Sequence, residues 1–188
     1  GGDKSWFAID KTNNPSRGNI YAAWNTAGNG YFPNTFNYSN DGGISYFEPR
    51  TIPQSPIFGS VTVGPESELY VVGTKSAAYG VFYLVKSINP LASPISFNQT
   101  TRINLKGCML LGAFINPIGL LGQLNVAVDH SVRSSRGNVY ILGSISPLDS
   151  DPLDIRFVKS IDGGKSFKPS IRINTDSDLN WQWLGTMS

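Results

Sequence analysis

Five aspartates crowd into two short stretches of this chain: Asp149, Asp151 and Asp154 in SPLDSDPLD, and Asp176 and Asp178 in NTDSDLNWQW. Closely spaced carboxylates can converge on a Ca²⁺ ion, and a pair can divide general acid and general base work. Both stretches also carry Ser or Pro, which with Asp are ordinary turn formers. Solvated acidic turns are therefore the default reading, Ca²⁺ is the sharper one, and no resident cofactor or metal is expected. Tyr31 in NTAGNGYFPN and Trp181 in LNWQW offer apolar ring faces of the kind on which a sugar stacks, although Trp181 suits packing between sheets equally well. The candidate ligand-binding residues are thus Tyr31, Asp149, Asp151, Asp176, Asp178 and Trp181; no catalytic residue can be assigned.

Other reactive side chains are sparse. Glutamate occurs only at Glu48, Glu66 and Glu68, and His130 is the sole histidine. Cys108 is the sole cysteine, which rules out an internal disulfide and a cysteine-based metal cluster, and its apolar neighbours suggest a buried structural thiol. The net charge of +2 comes from scattered Lys and Arg, so nucleic acid is not an expected partner. The longest mainly apolar stretch, 107 to 124, is broken by Asn116, Pro117 and several Gly, too interrupted for a membrane helix.

The elements that hold these loops are announced by an internal repeat. With 20 Gly, 12 Pro and 12% aromatic residues, the 188-residue chain reads as all-β, made of short strands and tight turns. WFAID, GNIYAAWN, NYSNDGGISY and FEPRTI return as LNVAVD, GNVYILGS, IRFVKSIDGGKSF and KPSIRIN, with Asp10 and Asp129 set 119 positions apart and Asp41 and Asp162 set 121 apart. A middle copy, SVTVG, ELYVVGT, VFYLVKS and INPLASPISF, lies between them. Each module of about sixty residues reads as a four-stranded antiparallel meander, which must stack on a neighbour to bury both faces. The expected modules are 4–59, 60–123 and 124–180, with 181–188 as the first strand of another. Trp6, Trp24, Tyr46, Tyr70, Tyr140 and Phe167 are expected to pack between sheets.

In SNDGGISY and SIDGGKSF the Asp carboxylate can accept backbone N–H groups of the turn that follows, and the glycines supply its positive φ angles. Ser39, Asp41, Gly43, Ser45, Tyr46 and Ser160, Asp162, Gly164, Ser166, Phe167 are accordingly structural. The turns between first and second and between third and fourth strands share one end of each meander. Loops 25–34, 74–80 and 146–154 and the crossovers share the other end, which is the better place for a ligand site.

Both octapeptides fit the Asp-box pattern, Ser/Thr-x-Asp-x-Gly-x-Ser/Thr-aromatic. The chain resembles the bacterial neuraminidase repeat, or sialidase-like β-propeller, family over nearly its whole length. That resemblance implies a six-bladed wheel, of which this chain supplies about three blades, as a fragment of a longer gene. It further implies a secreted or cell-surface glycoside hydrolase acting on sialylated or related glycans, or else a non-catalytic propeller that binds a glycan or protein partner through its loop-rich end. Sialidase chemistry uses a Tyr nucleophile, a Glu, an Asp acid and three Arg. A full set is not visible here: the family's Arg-Ile-Pro phrase is absent ahead of the first Asp box, and RTIP at 50–53 follows it. Two copies associating to complete the wheel is a further expectation.

Overall fold

The computed structural model describes residues 4–25, 30–75, 78–147, 151–176 and 179–187. It is all-β among them, and no helix is long and apolar enough to cross a membrane.

The first sheet is a meander of β1 (Trp6–Ile9), β2 (Ile20–Ala23) and β3 (Phe36–Ser39). Its fourth member is short: Arg50 bridges Phe36 and Phe47 N–H donates to the Tyr38 carbonyl. In the second sheet β4 (Pro56–Ile57) and β5 (Val61–Val63) both pair with β6 (Leu69–Lys75), which is followed by β7 (Ala78–Ser87) and β8 (Gln99–Ile103). Next come β9 (Gly107–Cys108) and a separate hairpin of β10 (Leu111–Ala113) and β11 (Asn116–Leu120). The third sheet runs β12 (Asn125–Val128), β13 (Val139–Pro147), β14 (Asp154–Ser160) and β15 (Ile171–Arg172), with β9 paired to the end of β13.

These strands form where the sequence alternates with period two. In β6 and β7 both faces are apolar because a sheet lies on either side, the reading expected of strands buried twice. One core joins the first and second sheets through Tyr21, Phe36, Tyr38, Val61, Leu69 and Val85. The other joins the second and third through Tyr70, Leu84, Val126, Ile141 and Val158. Each such side chain contributes roughly 1.5–3 kcal/mol on burial.

The structure departs from expectation at several points. Segment 107–124 is a strand and a hairpin rather than a loop, and Cys108 is half-buried in β9. Over 181–187 the backbone makes one parallel bridge, Trp181 to Leu153, instead of a strand. Trp6 is 40% exposed at the start of β1, where its Nε1 donates to Gln123, and Tyr46 is 49% exposed because, among the described residues, no sheet stacks on its side of the first sheet, whereas Trp24 and Tyr70 are buried and Tyr140 and Phe167 half-buried.

Candidate functional site

β14 begins at Asp154 and ends at Ser160, so its two termini lie roughly 20 Å apart. The two ends are built differently.

At the Ser160 end every Asp is consumed by a turn. Asp162 accepts Ser166 N–H at 3.0 Å and receives the Ser160 and Ser166 hydroxyls at 2.7 and 2.5 Å. Asp41 does the same with Ser45 and Ser39. The serine hydroxyls at 45 and 166, followed by the backbone N–H and the other serine, hold both carboxyls well below the ordinary range. Gly42, Gly43, Gly163 and Gly164 all have positive φ, the reason glycine is needed there.

The same end carries a second repeated staple that sequence reasoning passed over as a plain turn. In DKTNNPSRGN, Asp10 accepts Thr12 N–H at 2.8 Å and the Ser16 hydroxyl at 2.7 Å, and the Arg17 guanidinium donates to the Lys11 and Thr12 carbonyls. DHSVRSSRGN repeats it: Asp129 accepts Ser131 N–H, and Arg136 donates to the His130 and Ser131 carbonyls. Burial raises Asp10, but the Ser16 and Thr12 donors outweigh it and the net shift is downward; Ser135 and Ser131 bring Asp129 to about 2. The shared Asp, Ser-Arg-Gly-Asn phrase was the available signal. These turns also tie the sheets together: Thr12 and Asn14 bond Ser67, while Arg136 reaches Pro65 O and Glu66, and His130 Nε2 lies 2.9 Å from Val63 O. His130, Glu66 and Glu68 thus belong to the structural end, where Glu68 pairs with Lys86.

The Asp154 end gathers charge instead. Asp154 is buried and is held by Arg172 Nε at 2.7 Å and Arg156 Nη2 at 2.8 Å. The Arg172 Nη2 lies 3.1 Å from Asp151 and 3.4 Å from Asp176, so one guanidinium occupies the centre of three carboxylates. Asn174 donates to Asp154 and Asp176, and Gln182 donates to Asp176 at 3.1 Å. Asp151 is pushed up by burial and by the charge of Asp154, while Asp176 is pulled down chiefly by Asn174. Arg156↔Arg172 pairing across β14 and β15 sets this convergence. One residue before Gln182, Trp181 meets the exposed Phe114 of the β10–β11 hairpin edge-to-face, with ring centroids 5.5 Å apart.

Of the predicted residues, Asp151 and Asp176 therefore meet on Arg172, and Trp181 is tied to the same strand end by its backbone bridge to Leu153. Asp149 and Asp178 fall outside the described residues. Tyr31 lies apart, tilted against Trp24 at 5.9 Å. Arg156, Arg172, Asn174, Gln182 and Phe114 were missed, because nothing in the local sequence brings a strand end, a crossover and a hairpin tip together. No family model matches the chain, and no curated protein matches it.

Proposed function

We propose that this chain is the three-sheet segment of a sialidase-like Asp-box β-propeller, secreted or surface-bound, whose loop-rich end recognises a glycan. The wheel reading is supported by three successive meanders that stack face to face with β5 packed between β1 and β12, as first strands around an axis would be. Glycan recognition is supported by one observation above all: Trp181, half-buried edge-to-face against the exposed Phe114, directly precedes Gln182, whose side chain is bonded into a set with Asp176 and Asn174. A half-buried Trp with an exposed Phe beside it and fixed polar groups next in the chain suits a sugar, whose C–H face stacks while its hydroxyls exchange hydrogen bonds.

Binding fits this end better than hydrolysis does. A sialidase needs arginines free to clamp the substrate carboxylate, but Arg156 and Arg172 are bonded to Asp154. A glycan array probed with the chain should give a signal that Trp181→Ala abolishes and Tyr31→Ala spares, and a fluorogenic sialoside should not be turned over. Turnover by the chain, or an array signal indifferent to Trp181, would overturn the reading.

A further inference from the structure

The first meander strand of each sheet pairs on one side only: β1 with β2, β5 with β6 and β12 with β13. Its other edge keeps a row of backbone donors and acceptors. In β1 the register, together with the bond from Asp10 N–H to the Asn19 carbonyl, fixes which residues these are. Antiparallel pairs alternate between bonded and non-bonded, so Trp6 and Ala8 bond across to β2, while the N–H and C=O groups of Phe7 and Ile9 point away from it. By the same count Val61 and Val63 face outward from β5, and Val126 and Val128 from β12.

Two of these outward groups are capped within the chain. Val126 N–H donates to Ser60 Oγ at 2.9 Å, and His130 Nε2 lies 2.9 Å from the Val63 carbonyl. In the second sheet the residue that stands where His130 does is Pro65, which has no N–H or side-chain donor, so the Ile9 carbonyl, the counterpart of Val63, stays open. Among the described residues neither Phe7 nor Ile9 has a backbone partner at this edge. Val61 and Val63 are buried, whereas Phe7 is 68% and Ile9 41% exposed.

A groove of about 360 Å³ opens beside this edge, bordered by Phe7, Ile9 and Lys11 on one side and by Thr62, Val63 and His130 on the other. Unpaired strand groups along an open groove are a template for one more strand. The groove also has a charge. Lys11 is exposed at its turn end and has no acidic partner among the described residues, because the neighbouring Asp10 is held by Thr12 and Ser16 and Asp129 by Ser131.

We propose that the β1 edge binds an extended acidic peptide segment as an added strand. Two residues of the segment exchange N–H···O=C bonds with Phe7 and Ile9, and a carboxylate meets Lys11 Nζ. Antiparallel addition, the more stable per residue, sets the N-terminal end of the segment at Lys11, so the carboxylate is a side chain there and not a chain terminus. Residues directly opposite share a face, so those facing Ile9 and Phe7 are apolar. Read from its N-terminal end, the segment is acid, any, apolar, any, apolar. This site rests on an open edge and its charge, and on neither glycan recognition nor a closed wheel.

Fluorescence anisotropy of a labelled, end-blocked peptide, Gly-Glu-Thr-Val-Thr-Val-Gly, tests this with the intact chain. Binding should saturate below about 1 mM and weaken as salt rises. Glu to Gln in the peptide and Lys11→Gln in the protein should each weaken it roughly threefold, the value of an exposed ion pair, and together should weaken it no further. N-methylation of the two valines, whose N–H groups face β1, should abolish binding; N-methylation of the two threonines, whose N–H groups face away, should leave it nearly unchanged. Trp181→Ala, at the other end of the sheets, should leave it unchanged while abolishing the glycan signal. No saturation at about 1 mM, equal losses on methylating valines and threonines, or indifference to both charge removals would overturn the proposal.

Discussion

Ser160→Ala and Ser39→Ala remove the same group from two copies of one turn, yet they should not cost the same. In each, the serine oxygen accepts two backbone N–H groups, Gly164 at 2.8 Å and Asp162 at 3.3 Å in one copy, Gly43 at 2.9 Å and Asp41 at 3.4 Å in the other. The surroundings differ. Gly164 is packed so closely that a Cβ there would lie 2.6 Å from Leu84, and its carbonyl holds Thr101, so its N–H has no route to water. Gly43 borders the open face, where a Cβ would meet only Ile20 and Tyr46, so water can replace the lost acceptor. Leaving one buried N–H unsatisfied costs about 1–3 kcal/mol, whereas a rehydrated one costs about half a kcal/mol to one. Ser160→Ala should therefore destabilise by about 2 kcal/mol and Ser39→Ala by about 1 kcal/mol less. Urea melts followed by tryptophan fluorescence, with a slope of about 2 kcal/mol/M, would separate the midpoints by roughly 0.5 M. Equal losses, or a larger loss for Ser39→Ala, would refute the claim that seating on the neighbouring sheet sets the value of the turn.

Acid should unfold the chain from the structural end. Asp10, Asp41, Asp129 and Asp162 all have lowered carboxyl pKa values, so their stabilisation is complete above the unfolded value near 4 and lost as pH falls through the folded ones, about 2 for Asp129. Stability should be flat above about pH 5 and fall steeply between about pH 4 and 2, with Asp151, shifted upward, opposing the trend slightly; loss beginning at neutral pH would contradict this. Millimolar Ca²⁺ should leave the melting temperature unchanged, since the Arg172 guanidinium already sits among Asp151, Asp154 and Asp176; a clear rise would mean that it gives way to the ion.

Much of this protein is legible in its sequence, because repetition and local turn chemistry are local facts. All-β class follows from period-two alternation with abundant Gly, Pro and aromatics, and the Asp-box octapeptides fall at the β3 and β14 turns because Ser, Asp and Gly at those offsets close a turn from within itself. The middle copy shows the limit. Its Ser87 and Asn89 still bond, but the ten residues after Ser87 carry no such pattern, and β8 begins only at Gln99. Which aromatics are covered was decided by stacking: Tyr46 and Phe167 occupy the same place in the repeat, but only Phe167 has a sheet to lie on. The charged end was decided there too. Asp151, Asp154, Arg172 and Gln182 are spread over three separate segments, and no local pattern states that one arginine will bridge three carboxylates. Short-range hydrogen bonding writes itself into adjacent residues, while burial and ion pairing between distant segments exist only once the sheets have stacked.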